Sequence, residues 1–114
     1  MQVQVSTDHN IKNDERLIEY VEGVLTEVLE RFTAHITRVE VHLSDTNSSE
    51  KFGTDDKRCV LEARIAGRKP VAVRHGAAKI ELAVDGAAEK LKRTLDSTFG
   101  RLDKRHEEPP PAAE

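Results

Sequence analysis

The spacing of apolar residues along the chain changes several times and predicts where helices and strands lie. Val3 and Val5 alternate with polar neighbours, which predicts a short, half-buried first strand. Between Leu17 and Phe32 apolar residues recur every three or four positions, which predicts a long amphipathic helix. Asn13 precedes this stripe and can cap the helix. The chain therefore begins with a strand followed by a helix.

After this helix the alternation of apolar and polar residues returns three times. Strands are predicted over about 36–44, over 58–65 and, after a turn at 67–70, over 71–74. The polar stretch 44–56 lies between the first two of these and predicts a long mobile loop. From about Ala78 to Leu102 the helical period returns and predicts a second long helix.

These elements follow the order β-α-β-β-β-α and indicate an α+β fold. We expect a two-layer sandwich in which a four-stranded sheet carries both helices on one face. Its other face is then open to solvent or to a partner. We assign this domain to residues 1–105. Residues 106–114 contain three consecutive prolines and no apolar anchor, which predicts a disordered tail.

The composition narrows the possible functions. A chain of 114 residues with one cysteine, Cys59, has room for one domain and cannot form an internal disulfide, which indicates a cytoplasmic protein. No segment is long and apolar enough to span a membrane. The five histidines lack the spacing of metal ligands, and no nucleophilic or phosphate-binding motif is present. We therefore expect no enzyme, no metal or other cofactor and no small-molecule substrate.

The charge is unevenly distributed along the chain. The net charge is −3 over all 114 residues, but residues 1–50 carry −6, residues 51–105 carry +6 and the tail carries −3. The cations of the second half, together with Arg38, lie in the second helix, on the solvent face of the sheet and at the 67–70 turn. The candidate RNA-binding residues are Lys90, Lys92, Arg93, Arg101, Lys104, Arg105, Arg38, Arg58, Arg64, Arg74, Arg68 and Lys69.

Two interpretations of these cations are open. Cations near a helix end complement the helix dipole, and charged residues often form no more than a solvated face. Alternatively, the sheet face, the turn and the helix end form one cationic surface that binds a phosphate backbone. The chain has only four aromatic residues, and three lie at or near core-facing positions. This favours recognition of backbone and shape over base stacking.

Three segments together resemble the ribosome hibernation family, which includes the short hibernation-promoting factors and the ribosome-associated inhibitor called protein Y. They are 16–22 in the first helix, 29–41 across the turn into the second strand, and 83–95 in the second helix. Lys90 and Arg93 match basic residues of the family's second helix. Lys92, Glu81 and the stretch 96–99 depart from the family pattern, which indicates a divergent subgroup.

The resemblance implies a fold like that of double-stranded-RNA-binding domains and binding to the small ribosomal subunit and its 16S rRNA. The implied site is the channel of mRNA and of the A- and P-site tRNAs, where binding blocks translation and stabilises idle ribosomes under stress or in stationary phase. Long family members pair ribosomes through an additional C-terminal domain; this chain is too short to hold one, so we do not expect it to drive ribosome dimerisation. We expect the protein itself to be a monomer. An alternative function is a protein-interaction regulator, similar to a sigma-factor modulator, that acts through the acidic first helix.

Overall fold

The computed structural model describes residues 1–45 and 56–107, with side chains through Phe99. The predicted loop at 44–56 lies mostly outside the described residues, as do Phe52 and the tail from 108 onward. The elements in chain order are β1 (Gln2–Thr7), α1 (Glu15–Val28), a 3-10 turn (Glu30–Phe32), β2 (Ile36–Asp45), β3 (Lys57–Ile65), β4 (Val71–Ala77) and α2 (Ile80–Glu107). The predicted order β-α-β-β-β-α is confirmed.

The four strands form one sheet in the order β1-β2-β3-β4. β1 and β2 run parallel, with Val3 opposite Val39, and the other two pairs are antiparallel. A parallel pair needs a crossover connection, which α1 provides. Because β3 and β4 are joined by a short turn, their register is fixed locally, whereas the register of β1 depends on how α1 packs.

One face of the sheet is buried under both helices. Along β2 and β3 the odd-numbered residues from Val39 to Leu43 and from Cys59 to Ile65 are buried, and the residues between them are not. α1 packs on α2 and contacts β1, while α2 lies over β3 and β4. Leu25, Leu61 and Leu91 meet in the single core cluster of the described residues. The predicted two-layer α+β sandwich, with both helices on one face, is confirmed.

The ends of the helices differ from the prediction. The N-cap of α1 is Asp14 rather than Asn13, because the Asp14 carboxylate accepts a hydrogen bond from the backbone N–H of Leu17 at 2.9 Å. The helix ends at Val28, and the apolar stripe continues through the 3-10 turn to the buried Phe32. α2 extends to Glu107 and so includes the first two residues of the segment predicted to be a disordered tail.

Candidate nucleic-acid interface

Four cations lie on the open face of β3 and β4 and on the neighbouring flank of α2. We call Arg58, Arg74, Lys90 and Arg93 the β4-edge cluster; all four residues are exposed. Lys90 Nζ donates a hydrogen bond to the backbone carbonyl of Arg74 at 2.9 Å, which links α2 to the edge strand. Within the described part of the chain, no carboxylate forms an ion pair with any member of this cluster.

The fold places these four side chains by simple periodicity. Arg58 pairs with Gly76 and Val60 pairs with Arg74, so the two arginines are diagonal neighbours on the open face of the sheet. Lys90 and Arg93 are three residues apart on α2 and therefore lie on adjoining positions of one helix flank. The buried residues of α2, such as Leu91 and Leu95, point to the core instead. The open face and the helix flank thus meet at the β4 edge.

The cations nearer the centre of the open face have a carboxylate partner. Arg38 Nη2 lies 2.7 Å from Glu40 Oε2, and Arg64 Nε lies 3.8 Å from the same oxygen. His42 Nε2 is 3.7 Å from Glu40 Oε1. We call these four residues the Glu40 cluster. Its register explains the arrangement, since Arg38 lies opposite Arg64 and Glu40 lies opposite Glu62. Glu40 thus forms ion pairs with two arginines of the same sheet face.

The β3–β4 turn holds two more of the predicted cations at the far end of the sheet. Gly67 has φ +73°, a conformation that residues with a Cβ rarely adopt, and the N–H of Arg68 donates to the carbonyl of Ile65 at 3.1 Å. This tight turn directs the Arg68 side chain to α2, where its Cζ lies 5.6 Å from the centre of the Phe99 ring. Lys69 is exposed beside it.

The remaining predicted cations of α2 do not join the β4-edge cluster. Lys92 follows Asp85 by seven residues and precedes Asp96 by four, so it lies on the flank that faces α1, where those two carboxylates bind Tyr20 and Arg31. Arg101, Lys104 and Arg105 belong to the last turns of α2, and their side chains lie outside what the structure describes. Within the described residues the cations therefore differ in their partners: Arg38 and Arg64 pair with Glu40, whereas the four members of the β4-edge cluster pair with no carboxylate.

The acidic residues of α1 stay apart from the β4 edge. Glu19, Glu22 and Glu27 are exposed, and so is Glu30 in the 3-10 turn. α2 lies over the β3–β4 half of the sheet, whereas α1 packs beside it and contacts β1. The negative charge of α1 and the 3-10 turn is thus separated from the β4-edge cluster by the body of α2.

The contact between α2 and α1 includes one perturbed group. The Tyr20 hydroxyl donates a hydrogen bond to Asp85 Oδ1 at 2.7 Å. This bond, with partial burial and the charges of Asp85 and Glu81, raises the pKa of Tyr20 to about 12. The tyrosine therefore stays neutral at physiological pH and fixes the flank of α2 opposite the β4 edge.

The possible reactive groups among the described residues include the one thiol of the chain and the candidate metal-ligating side chains. Cys59 is fully buried, and desolvation raises its pKa to about 12, so the nucleophilic thiolate does not form near neutral pH. No group of three or more His, Cys, Asp or Glu side chains in these segments is placed to hold a metal ion. No helix within them is long and apolar enough to cross a membrane.

Sequence reasoning missed two features of this surface. One is the hydrogen bond that joins Lys90 to the edge of β4, because no sequence pattern reports which carbonyl a lysine reaches. The other is the position of Phe99, whose place in the helical apolar spacing of α2 predicts a core residue, but which is half-buried and contacts His35 and Arg68.

Comparison with known proteins gives a family and a fold. A family model described as Sigma 54 modulation protein / S30EA ribosomal protein matches residues 3–103. No curated protein matches the chain. The crystal structure of the Thermus thermophilus Protein Y N-terminal domain superposes with a TM-score of 0.68 at 20% identity, covering 86% of this chain and 99% of that one. A ribosomal subunit interface protein from Coxiella burnetii superposes with a TM-score of 0.68 at 14% identity, covering 88% of this chain and 99% of that one.

Proposed function

Because the chain belongs to the Sigma 54 modulation protein / S30EA ribosomal protein family, we propose that it is a non-catalytic translation inhibitor that binds the small ribosomal subunit. The proposed site is the decoding channel, where mRNA and the A- and P-site tRNAs lie on 16S rRNA. Occupation of this channel in stress or stationary phase would block translation and stabilise idle ribosomes.

The β4-edge cluster is the observation that carries this proposal. Its four cations are exposed and, within the described residues, free of carboxylate partners, so none must break an ion pair before it contacts a phosphate. Each contact of this kind releases counterions from the RNA, which makes binding favourable and dependent on salt. Because the cluster spans two strands and a helix, it presents a fixed array of charges to a folded RNA surface.

Sedimentation with purified small subunits tests the proposal. The wild-type chain is expected to co-sediment at low salt and to dissociate as salt rises. The double charge reversal Lys90→Glu/Arg93→Glu is expected to abolish co-sedimentation. The matched control Lys12→Glu/Arg16→Glu makes the same change of charge at exposed positions near the start of α1 and should retain binding. Wild-type protein that stays at the top of the gradient at all salt concentrations would refute the proposal.

The position on the subunit is tested separately by competition. If the decoding channel is the site, mRNA with a P-site tRNA should prevent co-sedimentation, and the bound protein should inhibit translation in a purified system. Binding that is unaffected by mRNA and tRNA would place the protein elsewhere on the subunit.

A second candidate function is regulation through a protein partner, and the exposed acidic face of α1 favours it. Glu19, Glu22, Glu27 and Glu30 form a negative surface that α2 does not cover. A basic protein captured from ribosome-free extract by the wild-type chain, but not by Glu19→Lys/Glu22→Lys, would support this function. The same variant should bind small subunits normally if the ribosome is the partner.

A further inference from the structure

An aromatic stack lies at the end of the domain where the β3–β4 turn meets α2. The rings of His35 and Phe99 are 4.6 Å apart between centroids and inclined by 29°. Phe32 stacks on Phe99 at 5.7 Å and 26°. Phe32 is buried, Phe99 is half-buried and His35 is exposed, so the stack leads from the core to the surface.

The backbone holds this stack in place. The N–H of His35 donates to the carbonyl of Phe32 at 2.9 Å, and the carbonyl of His35 accepts from the N–H of Ala66 at 3.0 Å. His35 is therefore fixed from two sides, by the 3-10 turn and by the end of β3. An aromatic platform with a rigid backbone loses little conformational entropy when a ligand stacks on it.

Two arginines flank the stack, and they differ in availability. Arg31 lies over Phe32 with its Cζ 5.2 Å from the ring centre, and its Nη1 also pairs with Asp96 at 2.9 Å. Arg68 lies over Phe99, is exposed and has no carboxylate partner within the described residues. Arg68 is thus the cation available to a phosphate next to the platform, while Arg31 is held by its ion pair.

We propose that His35 and Phe99 form a platform on which one unpaired base of single-stranded RNA stacks, with Arg68 contacting the neighbouring phosphate. This proposal rests on the proposed function and deepens it, since it names a base-binding site in addition to the phosphate contacts of the β4-edge cluster. It also revises the expectation from composition that recognition of backbone and shape is favoured over base stacking.

Stacking of a base on the platform is energetically favoured over the contact that Arg68 makes with the Phe99 ring in the free protein. Stacking of a base on an aromatic side chain is stronger than the exposed contact between an arginine and a ring, which is weakened by solvent. Arg68 can therefore leave the ring of Phe99 for a phosphate as the base arrives. The platform does not read base identity, because every base has a π-face.

The test uses a short oligouridine that contains 2-aminopurine at one central position, and a matched oligomer with an abasic site there. The wild-type chain is expected to quench the 2-aminopurine fluorescence and to bind the first oligomer about tenfold more tightly than the abasic one. His35→Ala and Phe99→Leu should each remove most of this preference. His35 is exposed, so its variant should fold even if Phe99→Leu does not.

The neighbouring lysine supplies the control. Lys69→Ala removes one positive charge beside Arg68 and should weaken binding of both oligomers equally, with the base preference and the quenching retained. Arg68→Ala should weaken both oligomers more than Lys69→Ala does. Equal binding of the two oligomers by the wild-type chain would overturn the proposal, as would a preference that survives in the folded His35→Ala variant.

Sedimentation with small subunits separates this proposal from the proposed function. If the wild-type chain binds subunits but shows no base preference, the platform is wrong and ribosome binding stands. If the base preference and its loss in His35→Ala are seen without binding to subunits, the platform stands and the ribosome is the wrong RNA.

Discussion

The Glu40 cluster and the β4-edge cluster differ in how available their cations are. Arg38 and Arg64 share the carboxylate of Glu40, and His42 adjoins it. Along the β4 edge, Lys90 contacts only a backbone carbonyl, and Arg74 and Arg93 contact no carboxylate in the described part of the chain. A count of positive residues therefore overestimates the charge that is available to RNA, because some of the cations are already paired with a carboxylate.

The cause of this difference is the register of the sheet. Glu40 lies on β2 between two positions of the same face, and β3 places Arg64 within reach of it. β4 contributes Ala72, Arg74 and Gly76 to the open face, so it places no carboxylate there that could pair with an arginine. An exposed ion pair adds little to stability, but it reduces the net charge of this part of the sheet.

The largest expected effect comes from neutralising each pair of cations in turn. Lys90→Gln/Arg93→Gln should weaken binding to small subunits by about tenfold or more and lower the slope of log K against log salt by about two. Arg38→Gln/Arg64→Gln removes the same formal charge but also frees Glu40, and should weaken binding by less than about threefold. Equal losses in the two variants, measured by sedimentation at several salt concentrations, would show that the clusters do not differ.

A second prediction concerns how α2 is seated beside β4, on which the position of Lys90 depends. A Cβ on Gly86 would overlap the ring of His75 on β4. Gly86→Ala is therefore expected to lower the free energy of unfolding by about 1–2 kcal/mol, since overpacking outweighs the gain in helix propensity.

The matched background is His75→Ala, in which the space beside Gly86 is open. There Gly86→Ala should raise the free energy of unfolding by up to about 1 kcal/mol. Urea denaturation of the four proteins in this cycle measures both values. A Gly86→Ala effect of the same sign in both backgrounds would show that His75 does not set the approach of the helix.

A third prediction tests the opposite flank of α2, where Tyr20 binds Asp85. Tyr20→Phe should lower the free energy of unfolding by about 1 kcal/mol at neutral pH. The folded pKa of about 12 exceeds the ordinary tyrosine value of 10.0, so the contribution of the hydrogen bond is complete below pH 10 and is lost as pH rises through 12.

Denaturant unfolding of both proteins at matched pH values checks this prediction. The difference between wild type and Tyr20→Phe should shrink between pH 10 and 12. Ionisation of the buried Cys59 thiol at alkaline pH also lowers the free energy of unfolding. Because Cys59 is present in both proteins, this effect cancels in the difference between them. A constant difference across this range would mean that the hydrogen bond to Asp85 does not raise the pKa of Tyr20.

The smallest expected effect is a gain in affinity for small subunits when Arg38 and Arg64 lose their carboxylate partner, Glu40. Glu40→Gln removes the shared carboxylate and should strengthen binding to small subunits by about two- to threefold at low salt. Glu62→Gln removes the same charge from the neighbouring position of the open face, where no ion pair forms among the described residues, and should have a smaller effect. If Glu62→Gln strengthens binding as much as Glu40→Gln, the gain reflects net charge alone.

The fold was predictable because each element has one apolar face of a clear period. Val39, Val41 and Leu43 alternate, while Val84, Leu91 and Leu95 follow the helical spacing, and all six are buried. The exact ends were less predictable. Asn13 and Asp14 are both good N-caps, and only the path of the chain decides which carboxyl or amide oxygen reaches the N–H of Leu17.

The candidate site was predictable in its residue types but not in its grouping. The pattern assigned Arg38, Arg64 and Arg74 to the open face, and the structure places them there. Their division between two clusters depends on cross-strand register, which the alternation of apolar residues does not specify. The burial of Phe99 was also not predictable from spacing alone. It lies at the edge of the apolar stripe of α2, where it contacts both the buried Phe32 and the exposed His35.

The rate at which the single thiol of this chain reacts with a labelling reagent can measure how often the folded domain opens. Cys59 lies on β3, on the sheet face that packs against α2, with no exposed surface. A thiol reagent therefore reacts with it only when the sheet and helices separate. The labelling rate therefore reports how often the domain opens. A ligand that binds only the closed form slows labelling by the factor 1 + [L]/Kd, so the time course would measure the affinity for a small subunit without an attached dye.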